Sequence, residues 1–345
     1  MTKAMTAPNR RWIGLDVGGA HLKAATVVDG VIIEVKQIAC PLWQGLDRLD
    51  DALQAVDDHA SANVAVTMTG ELVDFFPDRR SGVEAILERV ARIVPPARQA
   101  IWAGRSGFLQ PGIARGAAQD VASANWLASG ALLAEQVRDA VLLDVGSTTT
   151  DVLVLADGRP QWSGYTDRER LGTGELVYLG VVRTPLMALA DEVPFDGKST
   201  GIMREYFATT ADVWRILERL PPDADLHPAA DNGPKTVEGS CRRLARMLGA
   251  DLADFPIEAW TELAGFYALR CRDLVARVVR RQRWRGLSSG DVPILGVGVG
   301  RFLAADVAAA LGMPFVDAAA LVPPGAADAL PAAAVALMAE RHAAL

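Results

Sequence analysis

The chain has 345 residues, 50% of them hydrophobic and 22% charged. That is the composition of a globular protein long enough for two domains, each with its own core. A net charge of -7 argues against a nucleic-acid partner, which calls for a basic face. Cys40, Cys241 and Cys271 are scattered without metal-ligand spacing, so neither a zinc site nor a disulfide framework is expected. Residues 1–12 lack the apolar run of a signal peptide, and the apolar stretch 292–312 is interrupted by Arg301, Asp306 and glycines. No membrane association is expected, and a cytoplasmic location follows by default.

The first structured stretch, Trp12 to Lys23, contains Asp16-Val-Gly18-Gly19-Ala-His21. It runs on through Ala24–Val28, an Asp29-Gly30 turn and Val31–Val35, which reads as three antiparallel strands. A second stretch repeats the pattern: Asp144-Val-Gly146-Ser147-Thr148-Thr149-Thr150-Asp151, Val152–Leu155, Asp157-Gly158. Adding 128 carries Asp16 onto Asp144, Gly18 onto Gly146 and Asp29-Gly30 onto Asp157-Gly158 without a gap, which marks an internal duplication. Between the copies, a strand is expected at Val64–Thr67 and another near Ile101, with helices at Gly82–Val94 and Asn125–Val137. Beyond the second copy, helices are expected at Thr209–Leu220, Thr236–Gly249 and Trp260–Arg285, broken by Pro221-Pro222 and the Pro228–Pro234 stretch. A third glycine run, Gly296-Val-Gly298-Val-Gly300-Arg301, leads into a helix at Phe302–Leu311. A strand at Met313–Asp317 and an alanine-rich helix at Ala332–Arg341 follow. The expected halves are 10–138 and 139–345, the second carrying a helical insertion at about 200–285 and the third glycine loop.

Each Asp-x-Gly turn offers backbone N–H groups to an anionic oxygen. An aspartate at the end of the preceding strand suits a hydrated Mg²⁺. Asp16 and Asp144 are therefore candidates for both metal binding and catalysis. Two such turns facing one another would clamp a di- or triphosphate. Gly18, Gly19, His21 and Lys23 in the first copy, and Gly146, Ser147, Thr148 and Thr149 in the second, are the candidate phosphate contacts. Gly296, Gly298 and Gly300 add a strand-turn-helix anion site. The last is not a dinucleotide fingerprint, because Arg301 and Leu303 stand where further glycines are required. These residues also have plainer uses: Lys23 as a solvated strand residue, and Ser147–Thr150 as β-branched strand filling.

The arrangement resembles the actin/sugar-kinase/Hsp70 superfamily, and more narrowly its hydantoinase/oxoprolinase-related branch. Five segments, best matched over residues 13–213, are similar to the group of that branch linked to tetrahydromethanopterin C1 transfer and methanofuran biosynthesis. They are Asp16–Lys23, Thr67–Leu72, Ala122–Trp126, Asp144–Asp151, and Thr166–Leu171 leading to Glu175-Leu-Val-Tyr178…Arg183-Thr-Pro. The last is the most specific, since generic kinases of the superfamily lack it. The resemblance implies an α/β fold of two duplicated RNase H-like halves, with mixed sheets flanked by helices around a central cleft. It also implies a transferase that forms an aryl ether. A phenolic, tyrosine- or tyramine-derived acceptor would displace diphosphate from an aminomethylfuran-methyl diphosphate.

For that chemistry Glu71, Asp144 and Asp151 are candidate bases, and Mg²⁺ near Asp16 and Asp144 would meet the departing charge. Arg168, Arg170 and Arg183 suit an acceptor carboxylate, and Asn125, Trp126, Glu175 and Tyr178 complete the candidate substrate contacts. Against these stand a capping role for Glu71 or Asn125, core packing of Trp126 or Tyr178, and surface pairing of Arg168 and Arg170. Two further readings stay open. One is an ATP-dependent kinase or amide hydrolase of the same superfamily, and the other a non-catalytic nucleotide-gated regulator. A homo-oligomer is also open.

Overall fold

In the computed structural model, which describes residues 11–57, 61–283 and 292–343, the first copy of the repeat forms β1 (Arg11–Val17), β2 (His21–Val28) and β3 (Val31–Ala39). They pair antiparallel in sequence order. The Asp29-Gly30 turn has positive φ at both residues, 51° and 76°, the hairpin geometry that Asp-Gly favours. β4 (Asn63–Met68) and β5 (Gln99–Trp102) extend the sheet in parallel beside β1, and β6 (Phe108–Leu109) closes it antiparallel, giving the order β3-β2-β1-β4-β5-β6.

The pleat sends alternate β1 side chains to opposite faces. Ile13, Leu15 and Val17 enter a core with Leu49 and Leu53 of α1 (Asp47–Gln54) and Val83, Ile86 and Val90 of α2 (Arg79–Ile93). α2 starts where Asp78 caps it, its side chain accepting from the Ser81 amide at 2.8 Å. α3 (Pro111–Gly116), α4 (Ala118–Val121) and α5 (Asn125–Ala134) lead out of this sheet.

The second copy repeats the scheme. β7 (Ala140–Val145) and β8 (Thr150–Ala156) pair antiparallel, and the third strand shrinks to β9 (Arg159–Gln161). After α6 (Asp167–Thr173) comes β10 (Leu176–Val177), antiparallel to β8. β13 (Ile294–Val297) and β14 (Phe315–Asp317) run parallel beside β7, so the order is β10-β8-β7-β13-β14. α10 (Arg301–Leu311) joins the last two strands. The expected helical insertion supplies α7 (Thr210–Ile216), α8 (Val237–Met247) and α9 (Ile257–Arg283). Residues 284 and 285, expected to end the last of these, lie outside the described residues. Trp214, Leu244, Trp260 and Tyr267 from these helices share one core with Val141, Leu143 and Val145 of β7. An unexpected hairpin, β11 (Glu192–Phe195) with β12 (Lys198–Gly201), precedes them. It turns on Asp196-Gly197 with φ of 50° and 70°.

The described residues divide into two units. One takes those up to 138, 158–160 and those from 319 on; the other takes 139–157 and 161–318. The tail beyond 318, expected in the second half, thus falls in the first. The cause is α11 (Leu330–Ala343), whose alanines pack against Ala25 on the β1 and β2 face opposite α2. There the chain comes so close that a Cβ at Gly14 would overlap the Ala332 carbonyl. Cys40, Cys241 and Cys271 are free and buried, and burial pushes their thiols up to about 12, about 11 and about 12, so they stay protonated at neutral pH. Among the described residues no helix is long and apolar enough to cross a membrane.

The Gly14 contact separates close packing from helix propensity. Gly14→Ala is expected to lower stability by about 1–3 kcal/mol, the usual cost of overpacking. Gly265→Ala, where α9 leaves open space, should raise it by about 0.5–1 kcal/mol through helix propensity. Urea unfolding midpoints of the two variants would show the opposite signs.

Candidate active site

The two Asp-x-Gly turns close identically. The Gly18 amide donates to the His21 carbonyl at 2.9 Å, and the Gly146 amide donates to the Thr149 carbonyl at 2.9 Å. The strand register also matches, Asp16 lying opposite Lys23 and Asp144 opposite Asp151. Opposed residues of an antiparallel pair project to the same face, so each aspartate shares its face with its partner across the ladder.

In the first unit Asp16 is nearly buried at the end of β1, and Asn125, at the start of α5, brings Nδ2 within 3.5 Å of both its oxygens. The Lys23 Nζ donates to the Asp328 carbonyl at 3.2 Å. Gly19 supports the turn from behind, its carbonyl accepting from the Leu42 amide at 3.0 Å, and His21 is buried. Glu71 follows β4 and is 1% exposed; its Oε1 accepts from the Ser123 hydroxyl at 2.7 Å. Trp126, expected to meet substrate, is 2% exposed and belongs to the packed interior.

In the second unit three segments meet at the end of β7. The Gly300 amide donates to the Val145 carbonyl at 2.8 Å, and Gly298, at φ 80°, passes so close that a Cβ there would lie 2.6 Å from Asp144 Oδ1. Gly296 remains within β13. From the other side the amides of Val181, Val182 and Arg183 donate to the carbonyls of Gly146 and Ser147 at 2.9–3.0 Å. The most specific segment of the sequence is therefore laid directly on the second turn. Thr148 Oγ1 sits 3.4 Å from Ser147 Oγ.

Several expected contacts have other duties. Arg170 is buried and binds Asp151 Oδ1 at 2.7 Å and the Glu175 carbonyl at 3.0 Å. Burial pushes the Asp151 carboxyl up, and Arg170 pulls it back. Glu175 is also buried. Its carboxylate accepts from the Ser163 and Gly164 amides at 2.6 and 2.8 Å and from the Thr173 hydroxyl at 2.6 Å, which closes the loop before α6 rather than reaching a substrate. Arg168 is exposed on α6, Tyr178 is 62% exposed, and Arg183 is half-buried. The Arg183 charge opposes the burial that pushes the Tyr206 phenol up. Sequence reasoning missed Ser123, and also Thr184 and Thr210, which hold Gly180 through its amide at 2.9 Å and its carbonyl at 2.8 Å. Ser123 and Thr184 lie inside two of the matched segments, but neither they nor Thr210 form a spacing pattern that assigns them a contact. No cluster of three or more metal-ligating side chains occurs among the described residues.

Two mixed sheets, each with an antiparallel hairpin on one side of its central strand, parallel strands on the other, and an aspartate and glycine turn at that strand's end, have the actin/sugar-kinase-like fold. A nucleotide-free acetone carboxylase structure shares this fold with a TM-score of 0.53 at 11% identity, covering 94% of this chain and 69% of that one. Residues 63–342 match the hydantoinase/oxoprolinase family model, and the chain belongs to that family. A relative from Methanocaldococcus jannaschii is 32% identical over 295 residues, 83% of this chain and 86% of its own length. It is a synthase named for a furan-2-yl methanamine that carries a phenoxymethyl group with a gamma-L-glutamylaminoethyl arm. A Methanococcus vannielii relative of the same name is 32% identical over 144 residues, 42% of this chain and 64% of its own length. Kinship with these synthases makes the chain an enzyme.

The Asp151–Arg170 pair gives a test of these placements. Arg170→Met leaves Asp151 largely buried without its counter-charge, and stability should fall by about 3 kcal/mol at pH 7. The unpaired carboxyl then has a folded pKa further above its unfolded value. Stability is therefore lost as pH rises from about 4, and the deficit against wild type should shrink as pH falls towards 4. Unfolding midpoints measured from pH 4 to 8 would check both size and sign.

Proposed function

We propose that this enzyme makes the aryl ether of a methanofuran-type cofactor, joining a phenolic acceptor to an aminomethylfuran-methyl diphosphate. What supports the reading is kinship with synthases named for such an ether, together with one observation that carries it. The branch-specific segment Gly180–Arg183 is seated on the Gly146–Thr149 turn. An acceptor-directed arginine, Arg183, thereby stands beside a turn suited to an anion.

The reaction forms a bond between the phenol oxygen and the furan methylene carbon. The carbon–oxygen bond to diphosphate breaks, and its electron pair leaves on pyrophosphate. The furan ring delocalises positive charge at the methylene, so the main demand is on the departing anion. Turn amides and Lys23 meet part of that charge. Mg²⁺ would be held by Asp16, with diphosphate and water filling the remaining positions, an arrangement this ion accepts from a single carboxylate. The donor set fits: Asp16 ends its strand beside a two-glycine turn, and Asn125 approaches both its oxygens. Bound there, the ion would neutralise leaving-group charge. The phenol, with a pKa of about 10, gives up its proton as the bond forms. Asp144 takes that proton in this reading, because Asp151 is tied to Arg170 and Glu71 is buried and tied to Ser123, while Asp144 is part-buried at the end of β7. Among the candidate arginines Arg170 is committed to Asp151, which leaves Arg183, with Arg168, for the acceptor carboxylate.

Pyrophosphate release from the furan diphosphate, dependent on both the phenolic acceptor and Mg²⁺, is the decisive assay. ADP formed from ATP and Mg²⁺ alone would replace the reading with the ATP-dependent one, which draws on the glycine loop at Gly298–Gly300. Asp144→Asn should lower kcat by about 10²-fold or more while KM for the furan diphosphate stays within a few-fold. Wild-type turnover in that variant would remove Asp144 from the proton transfer.

A further inference from the structure

The tripeptide Ser123-Ala124-Asn125 touches two carboxylates of the first unit. The Ser123 hydroxyl donates to Glu71 Oε1 at 2.7 Å, and two residues on, Asn125 Nδ2 lies 3.5 Å from both oxygens of Asp16. Ser123 is buried with its backbone in the left-handed region, at φ 51°. A residue with a side chain adopts that conformation only when its surroundings impose it. Here the constraint is visible. Glu71 is 1% exposed, and its backbone is wedged against Gly82 of α2, where an added Cβ would meet the Glu71 carbonyl at 2.5 Å. Neither the Glu71 main chain nor its Ser123-bound oxygen has room to swing towards a substrate.

We infer that Glu71 and Ser123 are positioning residues that act on Asp16 through Asn125. The fixed Glu71 carboxylate holds the Ser123 hydroxyl and keeps the 123–125 backbone in its left-handed turn. That turn starts α5 at Asn125 and points its amide at the Asp16 carboxylate, limiting the orientations in which Asp16 meets a cation. The inference rests on the reading that Asp16 faces the metal-diphosphate. It gives Glu71, expected from sequence to be catalytic, a role one step behind the reacting groups.

Ser123→Gly removes the hydroxyl and relaxes the backbone at once, since glycine takes a positive φ freely. The expected result is a folded protein whose Mg²⁺ requirement for half-maximal rate rises three- to tenfold, with KM for the phenolic acceptor unchanged. Glu71→Ala should shift the Mg²⁺ requirement in the same direction. Glu71→Gln, which keeps an oxygen for Ser123, should recover most of that loss and retain both limbs of the pH–rate profile. Wild-type Mg²⁺ dependence in Ser123→Gly would overturn the inference. So would a Glu71→Gln protein as impaired as Glu71→Ala and lacking the basic-group limb of the profile. Calorimetric titration of inorganic pyrophosphate with Mg²⁺ into the same full-length proteins separates this from the reaction assignment. A wild-type protein that binds pyrophosphate but forms no ether sinks the reaction alone. Weaker pyrophosphate binding by Ser123→Gly still upholds the positioning role, and equal binding overturns it.

Discussion

One short hydrogen-bonded turn recurs through the chain's construction: a glycine amide turned back onto the carbonyl three residues ahead, just past an aspartate at a strand end. It appears at Gly18 and again at Gly146, with the same donor-acceptor distance and the same strand register around it. The turn ends the central strand, reverses the chain into its antiparallel neighbour and leaves the aspartate at that strand's C-terminal end. In both units the first strand then takes parallel partners on its other side, and it is this parallel extension that makes room for helices on both faces.

The two copies differ most tellingly in charge. Opposite Asp16 stands Lys23, so the first hairpin sets opposite charges across its ladder. Opposite Asp144 stands Asp151, and like charges facing each other across a ladder repel. The second unit answers with Arg170, brought in from α6 and buried against Asp151. Arg170 thereby offsets much of the negative charge that Asp151 would otherwise present to Asp144. An arginine that reads from sequence as a substrate contact is, in the folded chain, the counter-charge at a position where the two copies carry opposite signs.

What the residues reveal in advance follows from the range of the forces involved. The duplication, its hairpins and the strand pairs are local, set by alternation and Asp-Gly turns, and they are readable. Asp196-Gly197 carries the same turn signal, but it lies just before a stretch dominated by helical periodicity, so the β11–β12 hairpin stays hidden. The destination of α11 is not written in its composition, because an alanine-rich helix is apolar on every side and fits any sheet that offers a flat enough face. Gly14 and Ala25, which carry no such signal in the sequence, help provide that face. Glu175, Arg170 and Ser123 find their uses through contacts 12, 19 and 52 residues away along the chain. No pattern of spacing reports such distances.

The helical insertion of the second unit has a structural logic that ends at the same turn. Thr210, the first residue of α7, donates its hydroxyl to the Gly180 carbonyl and its amide to the Thr184 carbonyl, and the Ala211 amide reaches the Val182 carbonyl. The start of α7 is thus a clamp on the segment that lies over Gly146 and Ser147. Asp212, buried in the same first turn, accepts from the Thr209 amide, the Ser240 hydroxyl and the side chains of Arg215 and Arg243. Arg243 in turn pairs with Asp231, and Arg215 with Asp225. A buried carboxylate holding this many donors is costly to disturb, so α7 is locked to α8 and to the loop between them. Rigidity passes from that network through α7 to Gly180–Arg183, and from there onto the turn beside Asp144. An anion site made of backbone amides depends on such backing, because its donors are only as well aimed as the chain that carries them.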